Sequence, residues 1–335
     1  MGGGRGALLV GLPVVAAALS LLVGPAEVAG VGETAAYLLH LAGMGPPLPV
    51  ERAALLETVL WEVRLPRVLL ALLVGLGLSL SGAALQALFR NPLVAPEVLG
   101  LSAGAAAGAA LALALPPLPV HLAAFAGGAA AVALTYGIAY ARQGVSITAL
   151  ILGGVIVNGI FTALLTIIQF LADPFRLQTI VQWTMGNLHT ATWEKVVSAA
   201  PPILAGSALL LLARWRLNVL ALGEEEARAV GVHPERTKLL ILIPATLVAT
   251  SAVAVAGIIA MVGLTLPHVA RLLVGADNRR LLPVTGSLGA LFLILVDDCS
   301  RTLAAFELPV GIFTLLLGGP VFIVLLRRRL LRAAL

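Results

Sequence analysis

The sequence predicts an all-α membrane protein whose chain crosses a bilayer ten times, and three observations lead to this prediction. Of the 335 residues, 60% are hydrophobic and 11% are charged, and the mean hydropathy is +1.06. A soluble domain carries about 25% charged residues because its surface faces water. The apolar residues also form long runs, and a helix needs about 20 of them to cross the hydrocarbon core. The outer solvent of such a chain is lipid.

The predicted spans follow one another along the chain, which we therefore interpret as a single transmembrane domain over residues 1–335. Spans seven and eight form one apolar stretch that must reverse at Ala256 and Gly257. Spans two and three are separated by Arg90-Asn91-Pro92 and by Pro96, and such residues interrupt helices. With ends placed to within about 2–4 residues, the spans are 6–24, 65–85, 98–115, 121–140, 146–171, 196–213, 238–255, 257–274, 282–301 and 309–326.

The first span has an alternative interpretation as a cleaved signal peptide. Arg5 precedes an apolar run from Ala7 to Val23, and Gly24-Pro25-Ala26 follows. The run is long for the apolar region of a signal peptide, which has about 7–15 residues, and the site lacks the A-x-A pattern. A retained membrane span is therefore the favoured prediction.

The basic residues predict the orientation of the chain. With ten spans both termini lie on one side, which receives 15 of the 21 lysines and arginines, while the other side receives six. The positive-inside rule places the richer side, and with it both termini, in the cytoplasm. The net charge of +5 thus reflects topology in a cell (inner) membrane and not a face that binds nucleic acid.

Two loops are long enough to hold structure of their own. The predicted outer loop Gly24–Val63 contains five glutamates and enough apolar residues for a surface helix. The predicted inner loop Arg214–Lys238 is the most polar part of the chain. Within it, Glu224–Ala229 should form a short helix, because acids in the first turn favour the helix dipole. Gly231 and Pro234 should end that helix.

The motifs of soluble and metal-dependent enzymes are missing from the sequence. The two lysines, Lys195 and Lys238, do not follow a glycine-rich loop, so there is no Walker A sequence. The five histidines form no H-E-x-x-H pair, and no G-x-S-x-G elbow occurs. Cys299 is the single cysteine, which excludes a multi-cysteine metal site. We predict a chain that is not an enzyme and binds no metal or cofactor, so that energy comes from a partner or an ion gradient.

Polar groups inside the spans are candidates for function, because an ionisable group in hydrocarbon is costly. Asp297 and Arg301 are four residues apart near the outer end of span nine, so they share a helix face and can pair. This pair is either structural or functional, and Asp298 has no obvious partner. Asn158 and Gln169 in span five are explained equally by pathway lining and by hydrogen bonds between helices.

Arg64 and Arg67 flank Pro66 at the outer start of span two. They lie on the side that the positive-inside rule depletes of basic residues, although snorkelling to the membrane interface would also account for them. Together with Arg301 they could form an outward-facing positive patch. Such a patch would suit an acidic partner through bidentate contacts between arginine and carboxylate.

Eight motifs carry a resemblance to a known family. In chain order they are R-L-P-R from Arg64, S-G-A-A-L-Q-A-L-F-R-N-P-L-V-A-P-E-V-L-G from Ser81, L-N-V-L-A-L-G from Leu217, G-L-T-L-P-H-V-A-R from Gly263, G-A-D-N-R-R-L-L-P from Gly275, D-D-C-S-R from Asp297, E-L-P-V-G from Glu307 and G-G-P-V-F from Gly318. In order and spacing, from about residue 5 to residue 330, the chain resembles the FecCD-type permeases of bacterial and archaeal ABC importers. That group serves ferric siderophores, haem and cobalamin.

The resemblance implies ten transmembrane helices per subunit and a homodimer with the transport path between the subunits. It implies that Arg64, Arg67 and Arg301 meet glutamates of an extracytoplasmic substrate-binding protein. It also implies that the loop from Leu217 to Val232 sits on a cytoplasmic ABC ATPase dimer, which uses ATP and Mg. The coupling residues expected there are Leu217, Asn218, Leu220, Leu222, Gly223, Glu224, Ala227 and Gly231.

The function implied is ATP-driven import of a large metal chelate, a ferric siderophore or haem, with cobalamin or a related cobamide as the alternative. A rival of another class is an ion-coupled secondary transporter that uses Asp297 and Asp298 as carriers. An intramembrane enzyme is a second rival, for which the sequence offers no nucleophile–base pair or metal pair.

Overall fold

The computed structural model describes residues 3–24, 29–45, 48–115, 117–141, 144–303 and 307–333, and within these ranges the chain is almost entirely helical. Two strands of two residues each, β1 (Tyr140–Ala141) and β2 (Gly144–Val145), pair antiparallel. The helices are α1 (Gly3–Ser20), α2 (Val31–Leu41), α3 (Val50–Thr58), α4 (Leu65–Phe89), α5 (Leu101–Ala114), α6 (Val120–Ala139), α7 (Ile147–Leu171), α8 (Pro174–Thr184), α9 (Trp193–Leu222), α10 (Glu224–Ala229), α11 (Pro234–Ala256), α12 (Val262–Val274), α13 (Asn278–Thr302) and α14 (Val310–Ala333).

Each of the ten predicted spans falls on one of these helices. Among the described residues, six helices are long and apolar enough to cross a membrane. They are the continuous helix Val50–Phe89, α6, α7, α9, α11 and α13. The other four predicted spans contain shorter apolar helical stretches, Gly11–Ser20, Leu101–Ala114, Val262–Val274 and Val310–Val324. At 13 residues, α12 is only about 20 Å long.

The central helix of the fold is α4, which packs against α9, α11, α12 and α13. Apart from Arg67 and Gln86, its residues are apolar or small on every face, and a helix with that pattern is buried on all sides. A tight crossing joins α4 to α13, where a Cβ added at Gly289 would overlap the carbonyl oxygen of Gly75 and the hydroxyl of Ser79. Small residues at this crossing let the two backbones touch.

We expect Gly289→Ala to lower the free energy of unfolding by about 1–3 kcal/mol, because the added methyl group forces the two helices apart. The measurement is thermal unfolding of the purified protein in detergent. Gly137→Ala on α6 is the matched control, since nothing lies within 4 Å of a Cβ at Gly137. The control should be neutral or slightly stabilising, because alanine is the better helix former. Equal losses for both variants would contradict the tight α4–α13 crossing.

The reversal predicted between spans seven and eight is present. The helix α11 ends at Ala256, and Gly257 follows with φ of 73°. A side chain at Gly257 would also overlap the carbonyl oxygen of Trp183, so glycine is needed here for both conformation and space. The segment ends at Met261, which has φ of 70° and precedes α12.

The end predicted for span six at residue 213 is wrong, because α9 continues to Leu222. Ala213, Leu217 and Leu220 are buried at helical spacing, and they extend the apolar stripe of α9 past the polar residues around Trp215. The short helix predicted at Glu224–Ala229 is confirmed by α10. The predicted outer loop contains the helices α2 and α3, of which α3 runs without a break into α4, and the position of α2 on the membrane surface stays a prediction. Arg142 and the residues Pro25 and Ala26 of the alternative cleavage site lie outside the described residues.

Candidate functional site

Residues predicted to share a side of the membrane lie at the same end of the helical bundle. At the end called outer here, the start of α4 meets the ends of α1 and α13 and the start of α14. At the inner end, the end of α4 meets the end of α9, and α9 meets the start of α13. Two candidate sites result, one at each end.

The centre of the outer site is Arg67, whose guanidinium group lies between two carboxylates. Its Nε donates to both oxygens of Asp297 at 3.0 Å, and its Nη2 lies 2.9 Å from Asp297 Oδ1. Its Nη1 donates to both oxygens of Glu307 at 2.9 Å. Both edges of the arginine therefore make charge-assisted bonds.

The second arginine of the outer site, Arg301, joins α13 to the end of α1. Its Nη2 donates to the hydroxyl of Ser20 at 2.6 Å and to the carbonyl oxygen of Ser20 at 3.1 Å. The same nitrogen pairs with Asp298, and its Nε lies 3.7 Å from Asp297 Oδ2. The expected neighbours Asp297 and Arg301 thus lie within ion-pair distance, but Arg67 is the closer partner of Asp297.

Asp298, for which the sequence offered no obvious partner, has two partners in the structure. Besides its contact with Arg301, its Oδ1 accepts a hydrogen bond of 2.6 Å from the Ser20 hydroxyl. The sequence could not indicate this bond, because Ser20 and Asp298 are 278 positions apart. The contact also makes α1 part of the outer site.

The third arginine, Arg64, bonds mainly to backbone carbonyl groups. Its Nη1 donates to Leu21 O and to the Thr34 hydroxyl at 3.0 Å each, and its Nη2 donates to Ala29 O at 2.6 Å. It ends the π-helical segment Val59–Arg64. Such a segment fits the position before Pro66, since proline cannot donate the next bond of the helical ladder.

An open positive patch at Arg64, Arg67 and Arg301 is therefore not what the structure contains. The three residues are only 3%, 5% and 5% exposed. Carbonyl oxygens, hydroxyls and carboxylates of the chain's own loops and helices surround them because buried charges must be compensated. Their predicted role in docking stays a prediction, but the exposure expected of them is wrong.

At the inner site, hydrogen bonds connect the end of α4, the end of α9 and the start of α13. Arg90, which ends α4 with φ of 50°, donates to the carbonyl oxygen of Leu220 on α9. Asn218 on α9 donates to Asp277 Oδ1 at 2.6 Å and accepts a bond of 2.9 Å from the backbone N–H of Asn278. Asp277 caps α13, and the bonds from the Arg279 N–H and the Asn218 amide hold the pKa of its carboxyl below the usual value.

The short helix α10 is fixed to α11 by Lys238. The Lys238 ammonium lies 2.9 Å from Glu224 at the start of α10 and 2.9 Å from Glu235 in the first turn of α11. Ala227 faces inward and is completely buried, and its carbonyl oxygen accepts a bond of 2.8 Å from the Val232 N–H. The polar loop is thus a firmly attached helix.

The structure divides the predicted coupling residues into two groups. Leu217, Leu220 and Ala227 are buried in the chain's own core, so their side chains are not exposed to a partner in the chain by itself, and their role in coupling stays a prediction. Asn218 is used in the contacts to α13, and Gly223 separates α9 from α10. From residue 221 to residue 231, the exposed positions are Ala221, Leu222, Glu225, Glu226, Arg228, Ala229, Val230 and Gly231.

Asn158 and Gln169 lie on the weakly packed helix α7. Together with Thr162 and Thr166 they follow spacings of four, four and three residues, which places all four on one stripe. Asn158, Thr162 and Thr166 are exposed, and the Thr162 hydroxyl lies 3.3 Å from Asn158 Oδ1. A second exposed stripe is purely apolar and contains Leu152, Ile156, Ile160 and Ile167. The helix therefore presents two different surfaces outside the chain's own core.

Sequence reasoning missed several members of both sites. Ser20, Thr34 and Glu307 complete the outer site, and Asp277 and Lys238 complete the inner one. Glu307 stands in one of the matching motifs, so the sequence could have indicated its carboxylate as the partner of an arginine. Thr162 and Thr166 were also detectable, because they repeat at helical spacing from Asn158.

Comparison with known proteins gives a consistent result. Residues 12–328 match the FecCD transport family. The chain is 40% identical over 274 residues to the molybdate import system permease protein MolB of Haemophilus influenzae, covering 80% of this chain and 81% of that protein. It is 41% identical over 280 residues to the cobalamin import system permease protein BtuC of Halobacterium salinarum, covering 83% and 75%.

A solved structure of a transporter described as metal-chelate type, in an inward-facing conformation, is also similar. It superposes with a TM-score of 0.83 at 37% sequence identity, covering 97% of this chain and 99% of that one. Together with the apolar helices, these matches identify an integral membrane protein of a known transporter class. The chain belongs to the FecCD transport family.

Proposed function

We propose that this chain is the permease subunit of a binding-protein-dependent ABC importer in the cytoplasmic membrane, with ten spans and both termini inside. The observation that carries the proposal is α10, a short helix with an exposed face at the inner end of the bundle. Lys238 ties this helix to α11, and Arg90 and Asn218 hold the adjoining helix ends. A separate ATPase would push on α10, and these contacts would pass its movement to the bundle.

The two surfaces of α7 support a homodimer. A stripe of amides and hydroxyls is costly in hydrocarbon, whereas the neighbouring apolar stripe suits lipid or protein. A second copy of the chain would enclose a water-filled path lined by Asn158, Thr162, Thr166 and Gln169. No residue of Ile147–Leu171 is charged, which suits a cargo whose charge is already shielded by its own ligands.

The cargo that we propose is a large metal chelate, a ferric siderophore or haem, with cobalamin as the alternative. The named relatives include importers of cobalamin and of molybdate, so family membership alone does not choose among substrates. The choice can be made by uptake of each labelled compound in competition with the others.

The deciding experiment is uptake into proteoliposomes that contain ATP, with and without an ABC ATPase subunit and a binding protein. If the chain is an importer permease, uptake requires both the ATPase and the binding protein, and it requires no ion gradient. An ion-coupled transporter would take up cargo without them when a proton or sodium gradient is imposed. The second outcome is disfavoured by the outer site, where Asp297 and Asp298 are both held by arginines and neither is poised to carry an ion.

We expect Val230→Glu to release the ATPase or to abolish ATP-driven uptake, because it places a charge on the exposed apolar side chain that follows α10. Val230 is 61% exposed, so the change leaves the chain's own core intact. Val31→Glu is the matched control, since Val31 on α2 is 54% exposed at the opposite end. Co-purification of the ATPase and uptake are both measured. Full uptake by Val230→Glu would contradict the proposed role of α10 as the coupling element.

A further inference from the structure

Six charged side chains meet at the outer end of the bundle, and their formal charges cancel. Three are the arginines described above, and three are the carboxylates of Asp297, Asp298 and Glu307. Arg64 and Arg301 both contact the end of α1, through Leu21 O and Ser20, which makes the group continuous. A neutral group of this kind exerts little long-range attraction on an acidic protein.

Glu307 differs from the other two carboxylates in its access to solvent. The side chain of Glu307 is 38% exposed, whereas those of Asp297 and Asp298 are 1% and 18% exposed. Glu307 stands before α14, and the next residue is anchored by a bond from the Leu308 N–H to the Ser300 carbonyl oxygen. Its carboxylate is therefore the one that can move away without opening the core.

Arg67 is held by two carboxylates that differ in exposure, the buried Asp297 and the partly exposed Glu307. Asp297 holds Nε and Nη2, while Glu307 holds only Nη1. If Glu307 moved away, Asp297 would keep the arginine in place, and Nη1 would become available to another acceptor. Any incoming carboxylate could form the same two bonds of 2.9 Å that Glu307 forms now.

We propose that Glu307 is an internal competitor for the docking site: an acidic side chain of the extracytoplasmic binding protein replaces Glu307 at Nη1 of Arg67. The inference rests on the proposed importer function. One carboxylate is exchanged for another, so the net gain is small and the contact is readily reversible. The binding protein can then leave after each delivery, and Glu307 sets the affinity of docking.

The test compares Glu307→Gln with Glu51→Gln, using the full-length permease in lipid nanodiscs. Glu51 is an exposed carboxylate on α3, so its replacement removes the same charge from the same end without touching Arg67. The first measurement is the rate at which phenylglyoxal, an arginine-specific reagent, modifies Arg67, read by peptide mass spectrometry. The second is the affinity of the binding protein that supports uptake in the proteoliposome experiment, measured at low and high salt.

For Glu307→Gln we expect faster modification of Arg67 and docking about fivefold tighter at low salt. The affinity of this variant should also fall more steeply with salt, since the outer site has gained one positive charge. Glu51→Gln should match the unaltered protein in both measurements.

Unchanged modification of Arg67 together with unchanged docking in Glu307→Gln would overturn the inference, because the negative charge of Glu307 would then have no influence on Nη1. Faster modification with unchanged or weaker docking would overturn the competition while leaving the importer function intact. If no binding protein supports uptake by the unaltered permease, the proposed function fails and the competition fails with it. That failure is recognisable because it does not depend on residue 307.

Discussion

Asp297→Ala is expected to lower the free energy of unfolding by about 3–5 kcal/mol, because it leaves a buried arginine without its main counter-charge. Arg67 would lose three of its contacts at once, and Arg301 would lose the neighbour 3.7 Å from its Nε. Glu307 alone could not replace Asp297, since it reaches only Nη1. The measurement is denaturant or thermal unfolding in detergent, together with the yield of folded protein.

Glu33→Ala is the matched control for this prediction, because it also removes a carboxylate that pairs with an arginine. The pair between Glu33 and Arg52 is exposed, and exposed pairs contribute little to stability. The double variant Arg67→Met with Asp297→Leu should recover part of the loss, since removing both buried charges leaves neither uncompensated. If Asp297→Ala cost no more than Glu33→Ala, the outer site would not be a structural element of the fold.

The purified chain by itself is expected to hydrolyse no ATP, and hydrolysis should appear only when a separate ABC ATPase is added. A P-loop needs a lysine after a glycine-rich loop to hold the phosphates. Lys195 follows Trp193 and Glu194, and its ammonium donates to the Thr190 hydroxyl at 2.6 Å. Lys238 follows Arg236 and Thr237 and is held by two glutamates. Phosphate release is the measurement.

Two comparisons control the hydrolysis experiment. A complex with a catalytically dead ATPase excludes contaminating activity, and the loaded binding protein should raise the rate of the intact complex. Sustained turnover by the isolated permease would contradict the proposed division of labour between the subunits.

The helical spans were predictable from the sequence because their physical cause is local. A run of apolar residues selects a helix in lipid wherever it occurs, as in Ile147–Leu171, whose ends fall within one residue of the predicted span. The same holds for Glu224–Ala229, where acids, a following glycine and a proline act within one or two turns. The predicted end of α9 was too early because Arg214 and Arg216 interrupt the apolar run in the sequence. The buried stripe of Ala213, Leu217 and Leu220 nevertheless continues past them.

The members of the outer site were predictable only in part. The four-residue spacing of Asp297 and Arg301 indicated their proximity, and the motifs of the family singled out Arg64 and Arg67. Nothing in the sequence ranks the possible partners of an arginine when they are hundreds of positions away. Asp297 and Glu307 lie 230 and 240 positions from Arg67, and their choice over Asp298 depends on how the helix ends come together.

The sequence by itself determined that this protein is helical, lies in a membrane and resembles the FecCD permeases, because hydropathy, local capping and motif order are properties of the linear chain. Only the tertiary structure decided that the three outer arginines are buried, that Arg67 and Arg301 are paired with carboxylates, that Ser20 completes their site, and that α10 is held by Lys238. Exposure and ion pairing depend on which distant helices pack together, since a charge in a low-dielectric interior persists only where the fold supplies a counter-charge or hydrogen-bond acceptors.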